Sequence, residues 1–202
     1  LTGVKNFTGD TLVNSGTLES VGSAMSSAVA VANGATYEID LESASDTNTY
    51  SKIISGAGSF LKSGPGQLIF DQVHTYTGPT TISDGILTMS GSGSFSDSTA
   101  LTIDNGATYN LGSNEEVSSI AGAGTIGLGS FTLTSGGGNT NTTFSGTVEG
   151  TGGLTKSGTG KLSLTGVKSF TGNTIVNSGT LESRGSVMSS DVSVANGATY
   201  EI

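Results

Sequence analysis

The sequence predicts an all-β fold in which short parallel strands stack into a β-helix. Three observations lead to it: the chain repeats itself, apolar residues recur at the two-residue period of strands, and no window has the 3.6-residue period of a helix. Glycine, at 33 of 202 residues, interrupts each candidate helical window. An antiparallel sandwich or barrel of hairpins is the other architecture open to short strands. Tandem identity favours stacked coils, in which like residues lie above like.

The repetition is clearest at the two ends of the chain. Residues 1–39 align without a gap onto residues 164–202, an offset of 163 residues (164 − 1). A looser copy covers residues 70–111, and the polar segment 40–50 is predicted to be a loop. We therefore expect a single β-helix segment over residues 1–202, an internal slice of a longer chain. With coils of roughly 20 to 25 residues, about nine coils would form a rod on the order of 40 Å long.

Differences between the end copies indicate which positions face inward. Residues 28–31 read Ala-Val-Ala-Val and their counterparts 191–194 read Asp-Val-Ser-Val, so Val is kept at alternate positions. This is the period of a strand with one buried face. Leu12, which becomes Ile175 in the last copy, is also predicted to face inward because the exchange is apolar.

Composition and charge exclude several classes of partner. The chain has 7 Lys and Arg against 16 Asp and Glu, a net charge of −9, and its cations are not clustered as nucleic-acid binding requires. It has neither a basic amphipathic stretch nor an apolar run of membrane-spanning length. The absence of Cys suits a secreted protein without disulfides and equally a cytosolic one. Disorder is disfavoured because apolar residues keep strand spacing.

No catalytic or cofactor-binding residue is predicted. His74, the only histidine, stands where the end copies have Lys5 and Lys168, and is expected to be an exposed surface residue. A catalytic triad would have to use it. Residues 122–127 spell a dinucleotide-binding fingerprint, but they lead into a strand-like segment instead of a helix, so we expect a glycine-rich corner.

No metal site is predicted either. Asp40, Glu42 and Asp46 form one compact acidic group, and the other junction of the repeat has Glu115 and Glu116 instead. Loop solvation is the favoured role for the first group, with weak Ca²⁺ binding as the alternative.

Aromatic residues recur at matching positions of the repeat and are expected to stack in ladders. Buried ladders are favoured over a glycan-binding strip, because stacked rings bury much apolar area. The two sets are Phe7, Tyr76 and Phe170, and Tyr37, Tyr109 and Tyr200.

A longer phrase is shared by the middle and last copies. In the last copy it runs Gly-Thr-Gly-Gly-Leu-Thr-Lys-Ser-Gly-Thr-Gly over 150–160, then Phe-Thr-Gly, then Val-Asn-Ser-Gly-Thr-Leu over 176–181; residues 62–87 keep the same order. This phrase resembles the autotransporter-associated β-strand repeat of bacterial type V secretion passengers. The resemblance implies a right-handed parallel β-helix, carried to the outer surface of a diderm bacterium by a C-terminal barrel. Barrel and leader are expected outside this chain.

The sequence therefore favours a non-enzymatic structural or adhesive segment on the cell surface. The expected partners are a second copy on a neighbouring cell or a host surface or glycan, with no nucleic acid, no cofactor and no direct insertion into a membrane. Outward Ser, Thr, Asn and Asp on stacked coils would sum weak contacts along the rod. Two alternatives stay open: a passive spacer for a separate functional domain, and a β-helix enzyme acting on polysaccharides, which needs clustered carboxylates beside Lys or Arg.

Overall fold

The computed structural model describes the whole chain except Val4, Phe7 and Val187, and the regular structure of the described residues is entirely β-strand. The first twelve strands are β1 (Thr11–Val13), β2 (Thr17–Val21), β3 (Val29–Val31), β4 (Thr36–Asp40), β5 (Thr47–Tyr50), β6 (Ile54–Gly56), β7 (Ser59–Ser63), β8 (Gln67–Phe70), β9 (Thr80–Ile82), β10 (Ile86–Met89), β11 (Ala100–Ile103) and β12 (Thr108–Asn110). The last twelve are β13 (Glu115–Val117), β14 (Ser119–Gly122), β15 (Thr125–Gly127), β16 (Leu133–Ser135), β17 (Thr142–Phe144), β18 (Thr147–Glu149), β19 (Leu154–Lys156), β20 (Lys161–Leu164), β21 (Thr174–Val176), β22 (Thr180–Ser183), β23 (Val192–Val194) and β24 (Thr199–Glu201). No described helix is long and apolar enough to cross a membrane.

The strands form a parallel β-solenoid with three faces. The first face holds a three-stranded sheet, β1-β3-β6, and further along a five-stranded sheet, β13-β16-β19-β21-β23. The second face is a ten-stranded sheet, β2-β4-β7-β9-β11-β14-β17-β20-β22-β24, and the third is a six-stranded sheet running from β5 to β18. The strand pairings within these sheets are parallel, and each turn visits the faces in the same order. The predicted parallel β-helix is confirmed.

The register explains the repeat found in the sequence. Thr17 pairs with Thr36 and Thr36 with Ser59, so successive turns take 19 (36 − 17) and 23 (59 − 36) residues. Thr17 in β2 and Thr180 in β22 lie eight pairings apart in the ten-stranded sheet. The 163-residue offset is therefore eight whole turns. Ten strands with nine spacings of about 4.8 Å make a rod roughly 43 Å long.

The interior is an apolar column with an aromatic section. Rings from Tyr37 to Tyr109 contact one another in sequence, for example Tyr37 with Phe60 at 6.0 Å and Phe95 with Tyr109 at 5.5 Å between centroids. Buried rings were predicted, and Tyr37, Tyr76, Tyr109 and Phe170 are at most 1% exposed. Tyr200 is half-buried in the last turn, and Phe7 lies outside the described residues.

One inward assignment from the sequence is wrong. Val29 and Val31 face the core as predicted, but Leu12 and Ile175 are 65% and 39% exposed. The inward side chain beside Leu12 is Thr11, whose hydroxyl lies 2.9 Å from Ser27 Oγ. Thr174 repeats this arrangement with Ser190 at 2.8 Å. A threonine with a hydroxyl partner takes the interior position, so the apolar neighbour points outward.

Both ends of the segment 40–50, which was predicted to be a loop, belong to strands. β4 continues to Asp40, and β5 covers Thr47–Tyr50 and pairs with β8. Only residues 41–46 connect them, and Leu41 within this connection is fully buried. The segment is polar because β5 lies at the edge of the third sheet and exposes alternate side chains.

Candidate functional site: a notch in the first face

The first face is interrupted in two successive turns, between β6 and β13. Residues 73–77 and 94–98 pass through these turns without forming strands. The ladder continues in part, since Thr75 N–H donates to Ile54 O at 2.9 Å and Val73 forms an isolated parallel bridge with Ser94. The surface lined by residues 73–75, 94–98, 114–118 and 137–140 is called the notch below.

Two side chains take over hydrogen bonds that the interrupted ladder would otherwise make. In the regular part, Val29 N–H donates to Ile53 O in the next turn at 3.1 Å. One turn later, Ile54 N–H donates instead to His74 Nδ1, also at 3.1 Å. Phe95 N–H likewise donates to Glu115 Oε1 at 2.8 Å. At these two points an inward side chain thus satisfies a buried N–H in place of a backbone carbonyl.

The expectation that His74 is exposed is wrong. It is fully buried in the inward column that runs from Ile54 past Phe95, and its ring centroid lies 4.0 Å from that of Phe70. Burial lowers the pKa of His74 to about 4, with Asp71 opposing this in part. At neutral pH the ring is therefore neutral, and its Nδ1 is occupied as an acceptor, so His74 is not placed to serve as a catalytic base.

Glu115 is the second ionisable group in this column. It is 4% exposed, and burial raises the pKa of its carboxyl to about 8; the Phe95 N–H opposes this and the neighbouring Asp97 adds to it. The same surroundings hold the pKa of the Tyr76 and Tyr109 hydroxyls far above the usual range, chiefly through burial. Glu115 is therefore largely protonated at pH 7.

Buried polar atoms without a partner concentrate around the interruption. Of the five such side-chain atoms among the described residues, four belong to the interrupted turns or to residues that follow or pack on them. They are His74 Nε2, Thr99 Oγ1, Tyr109 OH and Glu115 Oε2. Folded proteins rarely leave such groups unpaired, so each calls for an account in terms of water or a ligand.

Three surface grooves meet at Asp97 and make up the notch. Their volumes are about 530, 320 and 470 Å³. Glu115 and Glu116 line the 320 Å³ groove together with Asp97, and Phe95 and His74 line the 470 Å³ groove. No three acidic, His or Cys side chains within the described part of the chain are placed to hold a metal ion. The notch is thus an acidic, acceptor-rich surface beside buried rings.

Four of the seven cationic residues lie inside the solenoid, which the sequence did not indicate. Lys62 is fully buried, and its Nζ donates to the carbonyls of Ser63, Gly64 and Asp84 at 2.7, 2.6 and 3.3 Å. Lys5, Lys156 and Lys168 are also buried and donate to carbonyl oxygens of their own or the next turn. Each ammonium closes a corner where the backbone leaves a strand, because its three N–H groups match unpaired carbonyls there.

Comparisons of the sequence with known proteins identify the family of the repeats. The passenger-associated-transport-repeat family matches residues 1–19, 60–89 and 154–182. The chain is also 38% identical, over 180 residues, to the adhesin BmaC autotransporter of Brucella suis biovar 1 (strain 1330). The chain belongs to the autotransporter passenger repeats. That alignment covers 85% of the chain but only 5% of the Brucella protein, and no solved structure matches the chain significantly.

The passenger repeats do not all occupy the same face. Thr11 and Thr174 begin first-face strands in the first and last copies, whereas Thr80, their counterpart in the middle copy, begins second-face strand β9. Tyr109 likewise lies in third-face strand β12, although Tyr37 and Tyr200 lie on the second face, so the predicted single ladder of these three tyrosines is wrong. The three faces share one inward–outward alternation, and the motif therefore packs on any of them.

The remaining candidates from the sequence are corners and loops. Residues 122–127 join β14 to β15 and Gly122 has a φ of 108°, so the fingerprint is a glycine corner as predicted. Asp46 Oδ2 accepts a hydrogen bond from Ser43 N–H at 3.2 Å within the short connection after β4. Asp40, Glu42 and Asp46 are not gathered into a metal-binding group among the described residues.

Proposed function

We propose that this passenger segment is displayed outside the cell as a rigid rod and mediates adhesion or cell-to-cell self-association through its repetitive surface. Its similarity to an autotransporter adhesin supports surface exposure and a structural instead of a catalytic role. The burial of four lysines supports the same proposal. It leaves an outer surface that is even more acidic than the net charge of −9 suggests, so close contact between two rods requires a region free of charge.

The observation that carries the proposal is such a region on the second face. The outward column of the ten-stranded sheet begins with Glu19 and Glu38 and ends with Glu182 and Glu201. Between them, the six central positions of this column carry no charge and form the uncharged stripe: Leu61, Thr81, Thr102, Ala121, Thr143 and Ser163. Four of the six carry hydroxyls, and repeated weak contacts of this kind add along the rod.

Sedimentation velocity over a range of protein concentrations tests the proposal. The chain is extended by one turn at each end, because bare strand edges associate for trivial reasons. We expect reversible association that strengthens at pH 5 or at higher salt, since both reduce repulsion between acidic rods. Thr102→Glu, in the centre of the stripe, should weaken it at least tenfold.

Thr88→Glu supplies the matched control, because Thr88 points outward from β10 on the third face. It adds the same charge and should leave association nearly unchanged. Equal effects of the two variants would show that total charge, not the uncharged stripe, governs contact. A monomeric rod under every condition would reject self-association.

A passive spacer is the second candidate, and the placement of the repeats favours it. The repeated phrase falls on different faces in different copies, so its shared letters build corners and interior instead of one common binding surface. Under this alternative, removing one 163-residue unit, residues 1–163, would shorten reach by eight turns and leave the adhesion of the full-length protein otherwise intact.

A further inference from the structure

We propose that the three Asn-Gly corners of the solenoid are sites of spontaneous deamidation, where the fold leaves an asparagine free to become aspartate or isoaspartate. The asparagines are Asn33, Asn105 and Asn196, and a glycine follows each of them. The corners join β3 to β4, β11 to β12 and β23 to β24. The proposal concerns a covalent change of the chain itself and does not depend on association between rods.

Each Asn-Gly pair lies at the centre of a tight turn that one hydrogen bond closes. Ala35 N–H donates to Ala32 O at 2.9 Å, and the equivalent bonds of the other two corners measure 3.0 and 3.1 Å. Gly34 has a φ of 80°, and its counterparts have 93° and 81°. The turn therefore favours glycine after the asparagine, and this glycine brings a backbone amide that no side chain of its own shields.

The two groups that would react are exposed and unpaired. Asn33 and Gly34 both lie on the surface, and within the described part of the chain neither the Asn33 side-chain amide nor the Gly34 N–H has a hydrogen-bond partner. A Cβ added at Gly34 would meet no atom within 4 Å. The same holds for Asn105 with its glycine and for Asn196 with its glycine. The approach of the asparagine side chain to the following nitrogen is thus sterically open.

Other asparagines of the chain are held in place by hydrogen bonds that they accept. The side-chain oxygens of four of them each accept a backbone N–H of a neighbouring turn at 2.8 to 3.2 Å: Asn48, Asn114, Asn139 and Asn141. Reaction at these residues first requires the loss of a bond that also orients the neighbouring turn. The fold therefore holds these four side chains and leaves those of the three corners free.

The reaction needs water and no other reagent. The glycine nitrogen, after losing its proton, forms a bond to Cγ of the asparagine and closes a five-membered succinimide ring. The bond from Cγ to the side-chain nitrogen breaks, and this nitrogen takes up the proton and leaves as ammonia. One water then opens the ring: cleavage between Cγ and the ring nitrogen gives aspartate, and cleavage at the backbone carbonyl carbon gives isoaspartate. An NH2 group is exchanged for OH without oxidation or reduction, and the new carboxyl is ionised at neutral pH.

Peptide mass spectrometry after incubation of the folded chain at pH 7 tests the proposal. Because one hydrogen bond of about 1 kcal/mol closes each corner, the three asparagines should convert at a rate within about tenfold of that in the free peptide acetyl-Ala-Asn-Gly-Ala-amide. In heavy-oxygen water each product should carry one heavy oxygen. Isoelectric focusing should resolve up to three acidic forms, since full conversion takes the net charge from −9 to −12 (−9 − 3).

Two controls separate the corners from other asparagines. The rate at Asn141, divided by that of its own free peptide acetyl-Thr-Asn-Thr-Thr-amide, should be at least about tenfold lower than the same ratio at the corners, because its oxygen is held by Lys161 N–H. Asn33→Gln keeps a side-chain amide but would have to close a less favourable six-membered ring, so it should remove one acidic form. Corner rates below the tenfold limit, a corner ratio no higher than that of Asn141, or an unchanged set of acidic forms in Asn33→Gln would overturn the proposal.

Discussion

The buried carboxyl of Glu115 makes the stability of the interrupted turns depend on pH in an unusual direction. Its pKa rises from 4.5 to about 8 in the folded chain because it is buried. Between these two values the folded chain binds more protons at this site than the unfolded chain does. The contribution to stability is therefore complete below about pH 4.5 and is lost as the pH rises through about 8.

The size of this contribution follows from the two pKa values. One pH unit corresponds to about 1.4 kcal/mol, and the values 4.5 and about 8 set an upper limit near 5 kcal/mol. The 4% exposure of Glu115 leaves little screening by solvent. Glu115→Gln removes the titration and preserves the acceptor for Phe95 N–H. Relative to the original chain, the variant should thus gain about 2 to 5 kcal/mol between pH 4.5 and pH 8.5.

Hydrogen exchange is the appropriate assay, because it reports the local opening of the turn that contains Glu115 separately from the other turns. Protection of the Phe95 amide reports the turn concerned, and the Val29 amide, bonded to Ile53 O, serves as an internal reference. Glu116→Gln changes the exposed neighbour by the same chemistry and should show no such pH dependence. An effect of Glu115→Gln that is equal at both pH values would refute the reasoning.

Two further predictions concern the corners. Lys156→Met leaves the carbonyls of Ser157, Gly158 and Ser178 without their donor and should lower the free energy of unfolding by about 3 to 5 kcal/mol in urea denaturation, whereas the exposed Lys52→Met should stay within about 0.5 kcal/mol. Gly106→Ala should cost about 1 to 2 kcal/mol for its positive φ alone. Gly85→Ala should cost more in thermal unfolding, because its Cβ would lie 2.5 Å from the carbonyl oxygens of Gly64 and Gly66; equal costs would contradict this close packing.

The all-β fold and the stacking of its turns were predictable because the sequence keeps two periods, the two-residue period of a strand and the 163-residue offset between the end copies. Alternating Val29 and Val31 gives the strand period, and the 163-residue offset sets a whole number of turns, since a fractional number would place the end copies on different faces. The shift of the middle copy by one face was not predictable. Nothing in the letters around Thr80 distinguishes a second-face strand from a first-face one.

Polar residues that face inward account for the side-chain orientations that were predicted wrongly from the sequence. A lysine or histidine at an alternating position normally indicates the solvent side, yet Lys62 and His74 face inward because each meets backbone groups that the corner or the interruption leaves unpaired. Thr11 lies inside and Leu12 outside because the Thr11 hydroxyl pairs with the Ser27 hydroxyl. The repeated phrase Lys-Ser-Gly-x-Gly at 62 and 156 is a sequence signal for such a capped corner.

The notch arises where the repeat departs from its own rule. The end copies have Lys5 and Lys168 at the position where the middle copy has His74. His74 and Glu115 accept backbone hydrogen bonds at the two turns in which no first-face strand forms. Each departure places an ionisable group among apolar neighbours, at a cost in stability that packing alone does not explain. The unpaired Glu115 oxygen and the acidic groove outside it mark the turns where the chain departs furthest from its repeat, while the faithful copies maintain the rod.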